Sequence, residues 1–196
     1  MFTHGPRRSP MLRRLATAAL SAAVATTVPA CTNDGSEPPP STPSTTPASS
    51  ASTPATESAQ AGAAAVAAYR RYINVTDAMM ASGGTDVKNL PSVAAGVELR
   101  VSQIEAENYR GRKIRAIGTT EIIWVKPVKV GGAIAGASTT ATVQACLDTS
   151  KTQAVDSAGK SVRPAGTPTR WLDTRDLQLI GGGWKVVKGK NQGAQC

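Results

Sequence analysis

The sequence predicts an α+β domain, helices first and a curved antiparallel sheet after them. Between Ala63 and Tyr109 apolar residues recur three and four apart, the period of a helix with one buried face. After Gly111 the period changes to alternation, in segments rich in Val, Ile, Thr and Trp. Helices followed by a meander of strands place the sheet against one layer of helices.

The first thirty residues stand apart from that domain. Arg7, Arg8, Arg13 and Arg14 precede an uncharged run from Leu15 to Ala30. A basic start, a short apolar middle and small residues at the end make a secretory signal peptide. Sixteen residues at ~1.5 Å each reach about 24 Å, short of the ~30 Å hydrocarbon core. The run ends on Val28-Pro29-Ala30-Cys31, which resembles the lipobox of bacterial lipoproteins, with Pro29 where Ala, Ser or Thr is commoner. The resemblance implies cleavage between Ala30 and Cys31 and acylation of Cys31, making the lipid bilayer a partner on the outer face of the cell membrane. Ordinary cleavage, giving a secreted chain with an unmodified Cys31, is the alternative. The two arginine pairs leave twin-arginine export open beside the general secretory route, and Met11 is a second candidate start.

Residues 31–61 read as the lipid-bearing Cys31 and a disordered stalk. Thr32 to Ala61 holds six prolines and thirteen Ser or Thr, with no aromatic and no aliphatic larger than Ala. Such a segment cannot bury enough surface to offset the entropy of ordering it. It spans ~90 Å as polyproline II or ~30 Å as a coil, and its composition also suits O-glycosylation.

The domain is expected over residues 62–196. Ala63 to Ser82 reads as a helix with Val66, Tyr69, Ile73, Thr76 and Met80 on one face, stopped by Gly83-Gly84. Asp86 to Ala94 reads as a short helix broken near Pro91. Val97 to Tyr109 reads as a third, with Val97, Val101 and Ile104 inside and Glu98, Glu105 and Glu107 outside. Strands are expected at Lys113–Ile117, Ile122–Val130, Ala141–Asp148, Thr169–Ile180 and Trp184–Lys188. Ala141, Val143, Ala145 and Leu147 alternate with polar neighbours as a half-buried strand, and Pro127 makes its strand an edge or a bulged one. Gly181-Gly182-Gly183 is a hairpin turn, and Gly131 to Gly136 reads as a hairpin loop without a dinucleotide fingerprint.

This order, together with Tyr69-Arg70-Arg71-Tyr72, Val143-Gln144-Ala145-Cys146-Leu147-Asp148 and Gly183-Trp184-Lys185-Val186, resembles the nuclear transport factor 2-like cone, in particular the small secreted lipoproteins common in actinobacteria. The resemblance covers Gly62 to Cys196 and implies a pocket between helices and sheet. A fold of this kind does not imply a function.

Several chemistries lose their residues. The one histidine, His4, belongs to the signal, so the mature chain has neither the commonest general base nor the commonest metal ligand. No cofactor or metal motif is present. Ser157-Ala158-Gly159-Lys160 matches Ser-x-x-Lys formally but sits in a turn-like stretch without its companion motifs. Cys146 and Cys196 are an even pair in an exported domain and read as a disulfide. Tyr69, Tyr72, Trp171, Asp173 and Arg175 are the pocket candidates. The resemblance also allows an enzyme with a carboxylate base and a tyrosine donor, for which Asp77 and Tyr109 are further candidates. Alternation puts Trp171, Asp173, Arg175, Leu177 and Leu179 on one face. Asp173 and Arg175 are favoured as a surface ion pair on the convex side; inside the cone they would form a site.

From Gly62 onward 18 Lys or Arg stand against 10 Asp or Glu, with Arg110, Arg112, Lys113 and Arg115 clustered. Outside the membrane that balance is read first as a solvated face; anionic lipid headgroups or a wall polymer, rather than nucleic acid, are the nearer partners. The expected function is therefore a non-enzymatic, lipid-anchored domain that binds a ligand or an envelope protein. The alternatives are an assembly component of an envelope secretion or conjugation machine, and a small enzyme.

Overall fold

The computed structural model describes residues 54–134, 137–194 and 196. The expected signal peptide with Ala30, the expected lipidation site Cys31 and most of the expected stalk lie outside them. Three helices come first: α1 (Pro54–Ala81), α2 (Leu90–Val93) and α3 (Gly96–Arg112). Six strands follow: β1 (Arg115–Ile117), β2 (Glu121–Ile134), β3 (Ala137–Asp148), β4 (Gln153–Val155), β5 (Arg170–Ile180) and β6 (Gly183–Gly193). β2-β3-β5-β6 form one antiparallel sheet with the helices packed on one face, the expected α+β architecture.

α1 begins at Pro54, eight residues inside the segment expected to be stalk. Pro suits the first turn, where no intrahelical N–H partner exists, and Glu57 there favours the helix dipole. Gly62 marks no boundary; it is buried, and a Cβ at that position would press on Pro127 and Val130 of β2. The missing side chain lets α1 lie directly on the sheet. The buried stripe of α1 is Ala65, Ala68, Tyr69, Tyr72, Ile73, Thr76 and Met79, with Val66 and Met80 at its margins. Gly83 and Gly84, at φ 66° and 80°, end the helix by turning their N–H groups back to Met80 and Met79. A side chain at Gly84 would also collide with the Ala106 carbonyl, so this turn sets how closely α3 approaches.

The sheet matches the predicted alternation. Ala141, Val143, Ala145 and Leu147 of β3 are buried against α1 together with Leu177 of β5 and Trp184 and Val186 of β6. β2 is an edge strand and carries two irregularities, at Ile123 and Val128 on either side of Pro127, so both readings of that proline hold. β6 carries one at Val187. β2, β3 and β6 run longer than expected, and the pairing of β2 with β3 continues through Gly131 to Ile134 opposite Ala137. β1 does not join this sheet. It pairs with β4, a strand not expected from the sequence; α3 extends to Arg112 and leaves five residues before Gly118, of which three form β1. Pro91 does not break α2; it sits in the first turn, where it costs no hydrogen bond. Ser157 to Lys160 is a turn organised by Asp156, whose carboxylate accepts the N–H groups of Ala158 and Lys160.

Cys146 and Cys196 form a disulfide with Cα atoms 5.8 Å apart. Cys146 points to the face of the sheet opposite the helices, and the C-terminal tail crosses that face to reach it. A disulfide fits an oxidising, extracytoplasmic compartment. No helix among the described residues is long and apolar enough to cross a membrane. With 50 residues between the cysteines, the bond is worth about 4 kcal/mol in the chain-entropy account. Reduction is therefore expected to lower the melting temperature by many degrees, and mass analysis of the non-reduced protein should find no free thiol at either position; two titratable thiols would contradict the pairing.

Candidate functional site

The third helix faces the opposite way from the expected one. Val97, Val101 and Ile104 are 65%, 49% and 49% exposed, whereas Glu98, Ser102 and Ala106 are buried. Two causes act together. Gly84 lies directly against the Ala106 backbone, so the face of α3 that carries Ala106 is the one pressed against the end of α1. Glu98, in turn, is needed by a buried cation.

That cation is Arg175 on β5. Its side chain is 11% exposed, between two carboxylates that are buried more deeply still. Arg175 Nε donates to Asp173 at 2.9 and 3.0 Å, Nη1 meets Glu98 Oε1 at 2.8 Å, and Nη2 donates to Asn191 Oδ1 at 3.0 Å. Each carboxylate is capped by a tyrosine of α1: Tyr69 donates to Asp173 Oδ2 at 2.7 Å, and Tyr72 donates to Glu98. The guanidinium also lies 5.5 Å from the centre of the Tyr72 ring. Tyr69–Asp173–Arg175–Glu98–Tyr72 is thus one unbroken chain joining α1, β5 and α3.

The sequence reading named four of these five residues and favoured an exposed pair on the convex face for two of them. That placement is overturned: Asp173 has no exposed surface and lies on the concave side, under α1. The reason is alternation itself. Leu177 and Asp173 share a face, and Leu177 belongs to the core. Glu98 was missed because a glutamate beside an apolar stripe reads as outward. The available signal was the spacing of Glu98, Ser102 and Ala106, four apart, which makes a second, small-residue stripe.

Burial raises the pKa of the Tyr69 and Tyr72 hydroxyls, and the neighbouring carboxylates push both further up. Burial also works against the Arg175 charge, but Tyr72, Asp173 and Glu98 more than offset it and its pKa rises. Glu105, at the mouth of the cone, is raised by desolvation and by Glu98 while Arg175 opposes. A cavity of about 210 Å³ opens there, lined by Tyr72, Thr76, Glu105, Trp171, Arg175 and Asn191 among others. Trp171 therefore reaches it and Asp173 does not. Asp77 also lines this cavity, where its carboxylate accepts the backbone N–H and the hydroxyl of Thr120, each at 2.8 Å. Tyr109 is half-buried near the end of α3.

Chemically, this arrangement holds elements together. A base must meet a ligand within hydrogen-bond reach, and every Asp173 oxygen is already occupied by Tyr69 and Arg175. Among the described residues no group of His, Cys, Asp and Glu could hold a metal ion. The cluster Arg110, Arg112, Lys113 and Arg115 is exposed at the end of α3 and the start of β1, and its first two members suit the negative end of the helix.

No family model and no curated protein matches the chain. Solved structures do. The intermembrane space region of the chloroplast protein ARC6 aligns with a TM-score of 0.50 at 17% identity, over 68% of this chain and 97% of that one. The Kfla4162 protein from Kribbella flavida aligns at 0.42 and 15% identity, over 69% and 93%. A putative calcium/calmodulin dependent protein kinase II association domain from Xanthomonas campestris aligns at 0.38 and 12%, over 65% and 86%. At these identities the likeness is one of fold alone.

Removing Arg175 should be the most damaging change in the network. Arg175→Leu leaves two carboxylates buried without a cation, an expected loss of about 3–5 kcal/mol. Tyr69→Phe removes one of the two donors to Asp173 Oδ2, a hydrogen bond to a charged group, and should cost about 1.5–3 kcal/mol. The tyrosines also set an alkaline limit. Their folded pKa values are raised, so their contribution is present below the ordinary 10.0 and is lost as pH climbs above it. Urea titrations above and below that pH should show the loss in the parent and less of it in Tyr69→Phe; identical pH profiles would contradict the assignment.

Proposed function

We propose that this chain is an exported lipoprotein of the type its sequence resembles: a Cys31-anchored, extracytoplasmic, non-enzymatic domain that binds a partner at the cell envelope. The observation that carries the non-enzymatic part is Asp173, which has no exposed surface and is saturated by Tyr69 and Arg175. With Asp173 spent on holding α1 to the sheet, we assign recognition to the surface. The Cys146–Cys196 bond supports the compartment, and the Arg-rich start, uncharged run and Val28-Pro29-Ala30-Cys31 support the anchor. A second reading, a membrane-anchored component of an envelope secretion or conjugation assembly, is favoured by the exposed apolar stripe Val97, Val101 and Ile104 on α3, a surface of the kind that partner proteins cover.

Fractionation tests the anchor. Cys31→Ser is expected to move the protein from the membrane to the medium, and metabolic labelling with a fatty acid should mark the parent only. Retention of the variant in the membrane after a high-salt wash would show that Cys31 does not hold it there.

A further inference from the structure

The face of the sheet that no helix covers carries an ordered arrangement of charge. Register places Lys126, Gln144, Thr174 and Lys190 on one rung across β2, β3, β5 and β6. The next rung is Lys129, Thr142, Asp176 and Lys188. Both rungs end in lysine on each edge strand and are floored by hydrogen-bonding side chains. Strand spacing puts the two lysine rails about 14 Å apart and the two rungs about 7 Å apart. Asp176 is the single acid on these rungs. It is already engaged, accepting from Thr142 at 2.8 Å and pairing with Lys188 at 3.4 Å. Lys126 rests over Trp124 at 5.2 Å. Lys129 and Lys190 have no acidic partner among the described residues. A groove of about 540 Å³ covers the Lys129–Lys188 rung and continues to Ala95, Gly96 and Val97 at the start of α3, with Ile180 and Val187 among its apolar lining. The irregularities at Val128 and Val187 flank the same rung from the two edges, and the disulfide to Cys196 closes the opposite end at the Trp124–Cys146–Leu172–Gln192 level.

From this face we infer that the outer surface of the sheet binds a linear, hydroxyl-rich polyanion, a glycopolymer bearing phosphate or carboxylate on successive units. The identity of the ligand rests on the envelope reading above; the site itself rests on register and charge. Two parallel rails set opposite charge along both sides of one chain, and Thr140, Thr142, Gln144, Thr174 and Gln178 offer the floor that hydroxyls and ring oxygens can hydrogen-bond. The polar floor between the rails favours a hydroxyl-bearing chain; a bilayer, to which the exposed Trp124 and Val128 would offer apolar contact, is an outcome of the test. Lys185, on the next rung, is turned away to the carbonyl of Pro91 and takes no part.

Titration calorimetry of the purified Cys31→Ser chain, which carries no acyl anchor and needs no detergent, decides the point. The probes are poly(glycerol phosphate), polygalacturonate, neutral dextran and, by flotation, phosphatidylglycerol vesicles. Binding is expected to the two polyanions, not to dextran, and to weaken steeply with salt. Lys129→Glu/Lys190→Glu should lower the affinity about tenfold or more with an unchanged melting temperature, and Lys129→Ala/Lys190→Ala serves if the reversed charges prevent folding. Arg110→Glu/Arg112→Glu, on the other basic cluster, should bind as the parent does. The inference is overturned if the lysine variants bind normally, if the arginine variant loses binding instead, if dextran binds equally, or if only vesicles bind. Calorimetry on purified protein is blind to anchoring, so failure here leaves the Cys31 result standing, and the reverse.

Discussion

Arg175 is the constraint on which the rest of the domain depends. A guanidinium buried in a core must be matched, and here both matching carboxylates come from different elements: Asp173 from its own strand, Glu98 from α3. Those carboxylates need donors in turn, and Tyr69 and Tyr72, almost one turn apart on α1, supply them. One cation thereby fixes the rotation of α1, the rotation of α3 and the face of β5 that points inward. Desolvating such a set is costly, and the attraction repays it only when every donor and acceptor is used. Here each guanidinium nitrogen and both Asp173 oxygens have a partner, with Asn191 taking the last nitrogen.

The cost of that arrangement shows on the surface. Turning Glu98, Ser102 and Ala106 inward leaves Val97, Val101 and Ile104 in solvent, where burial would have contributed about 1.5–3 kcal/mol for each. Turning them in would instead strand Tyr72 and one Arg175 nitrogen and take the Ala106 face of α3 away from the end of α1. The hydrogen-bonded network and the close helix approach outweigh the aliphatic burial.

How much of this is legible in the sequence varies with the kind of signal. The α+β class, the alternation of β3, the edge character of β2 and the Cys146–Cys196 pair follow from local periodicity and cysteine count. The start of α1 does not, since residues 54–61 carry no apolar stripe and Gly62 imitates a boundary while serving as a contact. β4 is three residues long and exists only through its pairing with β1. The orientation of α3 was misread because apolar periodicity describes a helix in isolation and is silent about a charged partner 77 positions away in sequence, at Arg175. Tyr69, Tyr72, Asp173 and Arg175 were all picked out as residues, but their meeting point, and Glu98 with it, required the fold.

This account separates an interior that is structural from an outer face that recognises. The sharpest measurement replaces the charged core by apolar groups of similar size, Glu98→Leu/Asp173→Leu/Arg175→Met, together with Tyr69→Phe and Tyr72→Phe, and then titrates poly(glycerol phosphate). Removing a whole buried ionic set, unlike breaking it, is often neutral or stabilising. The account predicts a folded variant whose affinity stays within about twofold of the parent, because the lysine rails lie on the opposite face of the sheet. A folded variant that no longer binds would place recognition in the cone and contradict it.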